Sequence, residues 1–119
     1  MTGRPQQGWG SSPAAKSRGS IDFGYINRVA LGALPQLLAK WLPRGRREGV
    51  EYVALNPRRC DRHLGSFRVN LRSGKWADFA YGAGGGDVVS LAAYLGGIGQ
   101  REAAERLAHI LGIAARHGR

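Results

Sequence analysis

The chain has too few cysteines and too short apolar runs for a disulfide scaffold or a membrane span. One cysteine among 119 residues excludes an intramolecular disulfide, so nothing argues for an oxidising compartment. No apolar run approaches the roughly 18 residues that cross a bilayer. The N-terminus also lacks the charged and apolar regions of a signal peptide. We therefore expect a cytoplasmic protein that does not span a membrane.

Acidic residues are scarce as well. Eight Asp and Glu stand against 18 Lys and Arg, which gives a formal charge of +10. Arginine supplies most of this excess, and its planar guanidinium group suits phosphate. Nucleic acid is therefore the first candidate partner and an anionic membrane surface the second. A surface kept charged for solubility is the plain alternative.

Composition divides the chain into one domain with two tails. Residues 1–19 are rich in Gly, Ser, Pro and basic residues, and they carry too little apolar surface to offset the entropy of ordering. We predict a disordered basic tail there, a single folded domain over 20–113, and a basic C-terminal tail over 114–119. The domain is large enough for one modest core.

Apolar residues at helical spacing, together with capping residues, predict four helices. The first begins after Ser20 or Asp22, and the second is a short helix with Pro35 in its first turn. Asp87 caps the third helix, which Gly96 and Gly97 end. The fourth spans about Gln100 to Leu111 and stops at Gly112.

Between the two helix pairs the pattern changes to that of strands. A basic turn over 44–49 precedes a strand over 50–55, and residues 66–71 alternate apolar and polar side chains. Ser73-Gly74 is a short hairpin turn that leads to a returning strand over 75–79. Trp76 and Phe79 point to opposite faces of that strand, so at least one lies near the surface. The sequence predicts an α+β fold with a small antiparallel sheet.

Basic and aromatic residues cluster around two of the predicted strands, those over 66–71 and 75–79. Arginines that neutralise phosphates, beside aromatic rings that stack on bases, are typical of a surface for single-stranded nucleic acid. The alternative is a solvated sheet face with Trp76 in the core. The residues predicted to bind nucleic acid are Arg58, Arg59, Arg62, Arg68, Arg72, Lys75, Trp76 and Tyr81.

Metal binding and catalysis have weaker support. Cys60 and His63 have the spacing of half a zinc site, but a structural zinc needs two further ligands and Cys60 is the only cysteine. Asp78 is a weak third candidate. Asp61, Asp78 and Asp87 suggest a two-metal site, although Asp87 is better explained as a helix cap. We expect no catalytic residue, no small-molecule substrate and no cofactor, with zinc as the alternative.

The glycine-rich segment over 81–87 has two interpretations. It lacks the Lys-Ser/Thr ending of a phosphate-binding Walker loop and does not fit the dinucleotide fingerprint. Backbone N–H groups at the following helix start can still bind a phosphate. We favour the simpler interpretation, a tight turn between a strand and a capped helix.

The central segment resembles the N-terminal zinc-ribbon domain of bacterial and phage DNA primases. The similarity rests on the segments GSFRV, GKWADFAYGAGGGDVVSL and QREAAERLAHILGI. It is greatest to a branch in primase-helicase-like proteins of plasmids, phages and integrated elements that has lost most zinc ligands. There the motifs are N-P-x-R-x-D, G-S-F, G-x-W-x-D-F-A-x-G and G-G-D-x-x-S-L, and here they begin at Asn56, Gly65, Gly74 and Gly85.

This resemblance implies a module that binds single-stranded template and acts with a separate primase, polymerase or helicase partner. It also implies that packing around Trp76 and Phe79 replaces the metal. Two other hypotheses remain open. One is a protein-interaction module that docks on a replication polymerase or helicase through the helix pair after Asp87, without binding DNA. The other is a metal-dependent nuclease or transferase that uses Asp61, His63 and Asp78.

Overall fold

Four helices and five strands form the described part of the chain, residues 20–58 and 66–116 of a computed structural model. The predicted α+β class is confirmed. The likeness to a zinc ribbon stays a prediction. In chain order the elements are α1 (Phe23–Gly32), α2 (Leu34–Trp41), β1 (Arg46–Glu48), β2 (Glu51–Ala54), β3 (Phe67–Asn70), β4 (Trp76–Asp78), β5 (Ala83–Gly85), α3 (Val88–Gly96) and α4 (Gln100–Leu111).

The strands form one antiparallel sheet in the order β1-β2-β3-β4-β5. Directly paired residues lie on the same face, because side chains alternate along each strand. One face, which we call the inner face, carries Ala54, Phe67, Val69, Trp76 and Asp78. The opposite face, the outer face, carries Arg46, Glu48, Glu51, Val53, Arg68, Ala77 and Gly84.

All helices pack on the inner side of the sheet. Phe67 and Val69 are fully buried there, and Trp76 is only 6% exposed. Removing such side chains from water stabilises the fold by about 1.5–3 kcal/mol each. The helical side chains of the same cluster include Ile26, Leu34, Leu38, Val89, Leu91 and Leu107. The structure therefore has one core, between the sheet and the helices.

The helix ends follow the predicted capping residues. Asp22 accepts a hydrogen bond from the Tyr25 N–H at 3.1 Å, and Asp87 forms a reciprocal capping box with Ser90. Gly97 and Gly112 end α3 and α4 in the left-handed conformation. The longest described helix has 12 residues. None in the described ranges is long and apolar enough to cross a membrane.

Two strands occur where the sequence predicts turns. Arg46–Glu48 pairs with β2, and Ala83–Gly85 pairs with β4. Both strands have three residues and lie at the edges of the sheet, so pairing with a neighbour decides their conformation more than their own pattern does. Gly85 is required in β5, because a Cβ at this position would overlap Ser90 Oγ and the indole ring of Trp76.

The two ends of the described domain are joined to each other. The Asp22 N–H donates to the Ala115 carbonyl oxygen at 2.9 Å, and Ile21 forms an isolated bridge with Arg116. Arg116 also pairs with Glu105 of α4. Ala115 and Arg116 thus pair with the start of α1, although the sequence analysis assigns them to the C-terminal tail. The predicted N-terminal tail, residues 1–19, lies outside the described residues.

Candidate nucleic-acid interface

Trp76, the first residue of β4, and Phe79, which follows the strand, point to opposite faces of the sheet, as the sequence predicts. Trp76 is 6% exposed on the inner face, whereas Phe79 is 72% exposed just beyond the strand. Between them, Ala77 faces outward and Asp78 is fully buried on the inner face. Of the two aromatic side chains, Phe79 is therefore the one that a ligand can reach.

Trp76 belongs to the core, so its predicted role in stacking on a base is wrong for this structure. Its ring centroid lies 4.7 Å from that of Tyr94 and 5.9 Å from that of Phe67. The indole Nε1–H donates to Ser90 Oγ at 2.9 Å. A large apolar ring with its single donor satisfied is stable when buried, and the alternative interpretation of Trp76 as a core residue is confirmed.

The turn after β4, residues 79–82, presents two exposed aromatic rings, and we call it the aromatic turn. Phe79 is 72% exposed and Tyr81 is 47% exposed. The backbone holds both residues in place, because the Phe79 N–H donates to the Ser66 carbonyl at 2.8 Å and the Tyr81 N–H donates to the Asp78 carbonyl at 3.2 Å. Stacking on a base is worth about 1–3 kcal/mol per ring.

Phe79 is missing from the nucleic-acid-binding residues that the sequence analysis names. The sequence did contain a signal for it, since Phe79 lies three positions after Trp76 and side chains alternate along a strand. Only one of these two aromatics can face the core. The pattern alone does not show which one, because either ring has enough apolar surface to be buried.

A network of buried polar side chains is hydrogen-bonded to the aromatic turn. Asp78 accepts hydrogen bonds from Asn56 Nδ2 at 2.6 Å and from the Ala80 N–H at 3.0 Å. Asn56 Nδ2 also donates to the Tyr94 hydroxyl at 2.8 Å. Both Asp78 and Asn56 are almost completely buried. A buried network with its partners satisfied makes the local conformation specific, so this network holds the aromatic turn in one position.

The resemblance implies that packing of Trp76 and Phe79 replaces the lost metal, and only half of this arrangement is present. Trp76 packs in the core, but Phe79 is exposed and contributes little packing. Tyr94 and the Asn56–Asp78 hydrogen bond complete the contacts at this end of the sheet. No local sequence pattern predicts this network, because Asn56 and Tyr94 are 38 residues apart.

Arg58 lies on the same network and is exposed. Its backbone N–H donates to Asn56 Oδ1 at 2.8 Å. Its guanidinium group lies 5.2 Å from the centre of the Tyr94 ring, and Nη1 donates to the Tyr94 carbonyl at 3.1 Å. The network therefore places a positive charge at the same end of the sheet as the aromatic turn.

Arg72 and Lys75 are exposed in the turn at the other end of β4. Asn70 Oδ1 accepts hydrogen bonds from the N–H groups of Arg72 and Ser73, so this turn is well defined. Phe79 lies four positions after Lys75, which corresponds to about 13 Å of extended chain. Alternation along β4 places both of these side chains on the outer face. A cation and an aromatic ring thus flank the outer side of one strand.

Arg68 lies on the outer face, as predicted, but it is paired with acidic residues. Its Nη1 atom is 2.9 Å from Glu51 Oε1 and 3.8 Å from Glu48 Oε1. Glu48 also pairs with Arg46 at 2.8 Å. These pairs neutralise much of the charge on β1 and β2. The predicted basic face is therefore uneven, with its excess positive charge nearer β4.

Several predicted site residues fall in the segment 59–65, outside the described residues. These are Arg59 and Arg62 among the nucleic-acid contacts, the weak zinc candidates Cys60 and His63, and Asp61 of the nuclease hypothesis. The two described neighbours of this segment, Arg58 and Ser66, are both hydrogen-bonded near the end of β4. Roles for these five residues stay predictions.

The described residues show no cluster suited to a metal. Within residues 20–58 and 66–116, no group of three or more His, Cys, Asp and Glu side chains could hold a metal ion. Asp78 binds Asn56 and Ala80 instead, and Asp87 caps α3 by accepting the Ser90 N–H at 2.8 Å. The described part of the molecule therefore adds no support to a zinc or two-metal site.

Comparison with known proteins assigns no family. No protein-family model matches the sequence, and no significantly similar curated protein was found. A function is therefore inferred from the chemistry of the described surface and from the motif resemblance. That surface carries the aromatic turn at one end of β4 and Lys75 and Arg72 at the other end, while Arg58 lies against Tyr94.

Proposed function

We propose that this chain is a module that binds single-stranded DNA in a primase or primase-helicase system of a plasmid, phage or integrated element. The observation that carries the proposal is the aromatic turn, where Phe79 and Tyr81 are exposed at one end of β4 while Arg72 and Lys75 are exposed at the other end. The bases of a single strand are free to stack on such rings, whereas the bases of a duplex are already stacked and paired. The proposal therefore includes a preference for single strands.

Phosphate binding is assigned to the cations around the aromatic turn. Lys75 and Arg72 contact the backbone on one side, and Arg58 contacts it on the other. Arg68 joins them by exchanging Glu51 for a phosphate, because this ion pair lies on the outer face with about a third of each side chain exposed to solvent. Arg59 and Arg62 are included on the sequence pattern alone.

Catalysis is assigned to a separate partner. In the family that the sequence resembles, the zinc-ribbon module binds template while a toprim or polymerase domain makes the primer. We therefore propose that this chain acts together with a catalytic polymerase, toprim or helicase protein and performs no nucleotidyl transfer itself.

Binding of a fluorescent oligonucleotide across a salt series tests this function. The oligonucleotide is offered as single-stranded DNA, as duplex DNA and as RNA of the same sequence. We expect tighter binding to single-stranded than to duplex DNA, with an affinity that falls steeply as salt increases. The RNA sample decides which single-stranded nucleic acid is preferred. Equal affinity for duplex, or no binding at low salt, would contradict the proposal.

A pair of charge variants locates the phosphate contacts. Arg72→Ala with Lys75→Ala removes two charges beside β4, so the slope of log K against log salt should decrease by about 1.4. The matched control is Arg28→Ala with Lys40→Ala, which removes two exposed charges from the helical layer. If both double variants reduce the slope equally, the attraction is a property of the whole charged molecule rather than of this surface.

A further inference from the structure

A second surface of the molecule is apolar and concave. It lies between the end of α2, the segment at Pro57 and the α3–α4 pair, and it encloses about 350 Å³. Ile110 stands at its edge and is 48% exposed. We call this surface the α4 groove, and its apolar lining includes Trp41, Pro57, Leu95, Ile98, Leu107 and Ile110.

The α4 groove has the form of a docking site for a helix. Along α4, the residues Ala103, Leu107 and Ile110 follow one another at the spacing of a single helix face. A neighbouring depression of about 230 Å³ shares Trp41 and Pro57 with the groove and extends its apolar surface. Amphipathic helices bind such grooves through apolar side chains at positions i, i+3, i+4 and i+7.

Two arginines that line this apolar surface indicate what kind of helix fits. Arg106 lines the α4 side, and Arg44 lines the neighbouring depression. Arg106 is paired with Glu102 at 2.6 Å, but both side chains are at least half exposed, so this pair contributes little. A second copy of the chain would carry the same charge of +10 to this surface and be repelled. An acidic partner would be attracted.

From these observations we infer that the α4 groove binds an amphipathic helix of a protein partner whose polar face is acidic. The groove shares no residue with the aromatic turn or with Arg72 and Lys75, although Pro57 of its lining is next to Arg58 in the chain. The inference goes beyond DNA binding, because it assigns a protein partner to a different set of residues. A substitution at Ile110 tests the groove through a residue that has no assigned role in DNA binding.

A synthetic helical peptide is the probe for this groove. It carries leucine at positions i, i+3, i+4 and i+7 and glutamate at the positions between them, and a second peptide has lysine in place of glutamate. Binding is followed by backbone amide chemical shifts of the full-length protein. We expect saturable binding of the glutamate peptide, with shifts concentrated in α2 and α4. Binding of the lysine peptide should be at least about tenfold weaker.

Two matched variants make the test specific. Ile110→Glu places a charge at the edge of the groove and should weaken peptide binding by about tenfold or more. Phe23→Glu, at a similarly exposed position on α1, should leave it unchanged. Both variants should retain the affinity for single-stranded DNA, so a failure of this inference is distinct from a failure of the proposed function.

Three outcomes would overturn the inference. The first is equal binding of the lysine and glutamate peptides, and the second is unchanged binding by Ile110→Glu. The third is a concentration-dependent dimer in sedimentation experiments without peptide that Ile110→Glu abolishes, because the occupant would then be a second copy of this chain.

Discussion

Neighbouring residues on the inner and outer sides of β4 differ in the burial of their side chains. On the inner side, Trp76 and Asp78 are buried and hydrogen-bonded to Ser90 and Asn56. On the outer side, Ala77 has only a small side chain, and Phe79 is 72% exposed at the end of the strand. The inner residues specify the fold, whereas the outer ones are available to a ligand.

This difference shows that stability and the proposed binding can be separated within four residues of chain. An exposed ring contributes little to the folded state, because most of its surface stays in water after folding. A buried ring with a satisfied donor contributes much and is inaccessible to bases. Substitutions on the two sides of β4 should therefore affect different measurements.

The largest effect is expected on the inner side. Trp76→Ala should lower the free energy of unfolding by about 3–5 kcal/mol, because it leaves a cavity beside Phe67 and Tyr94 and removes the partner of Ser90. Urea denaturation measures the change. Phe79→Ala is the control and should cost less than about 0.5 kcal/mol. Similar losses in the two variants would remove the distinction between the two sides.

The next effect concerns the buried network below the aromatic turn. Asp78→Ala should destabilise the protein by about 1–3 kcal/mol, since the buried Asn56 amide and the Ala80 N–H lose their acceptor. Glu51→Ala instead removes a carboxylate from an ion pair that is about one-third exposed, and it should cost about 0–1 kcal/mol. Urea midpoints compare the two, and an equal loss would mean that the network adds nothing to stability.

The third prediction concerns the outer side. Phe79→Ala should weaken binding to single-stranded DNA by about 1–3 kcal/mol, or roughly 5- to 150-fold, because a stacked ring is lost. Phe79→Trp should preserve the affinity, since it keeps a flat aromatic surface. Tyr25→Ala removes a ring of α1 that is 37% exposed and serves as the control. Fluorescence anisotropy measures these affinities, and a Phe79→Ala protein with unchanged affinity would exclude this ring from the interface.

The smallest effect is expected to have the opposite sign. Glu51→Gln removes a negative charge that pairs with Arg68 on the outer face, so it should strengthen binding of single-stranded DNA by a few-fold at low salt. Glu105→Gln removes the same charge from α4, where Glu105 pairs with Arg116, and should change the affinity less. Equal gains in both variants would show that only net charge matters.

Much of the fold was predictable because it depends on local signals. The caps at Asp22 and Asp87 and the stops at Gly97 and Gly112 lie where the sequence analysis places them. The alternation of Phe67, Arg68 and Val69 in β3 was also visible. In each case the deciding contacts join residues within a few positions of one another, so the pattern is present in a short stretch of chain.

The candidate site was predictable only in part. Arg72 and Lys75 are exposed at the hairpin turn, and Tyr81 is exposed on the aromatic turn. The neutralisation of Arg68 by Glu51 required knowledge of strand register. The α4 groove also combines residues from three distant segments. The sequence pattern suggested the helix pair after Asp87 as a docking surface, but it did not show that Trp41 and Pro57 line the same groove.

Local patterns in the chain are enough to specify the α+β class, the helix limits and the opposite directions of the Trp76 and Phe79 side chains. Which of the two is buried depends on contacts between distant segments, because the helices cover only one face of the sheet and Tyr94 and Ser90 bring a ring and an acceptor to Trp76. Tertiary structure also decided the edge strands β1 and β5, whose backbone hydrogen bonds come from neighbouring strands. Contacts between distant segments have no local pattern, and they emerge only when the chain is folded.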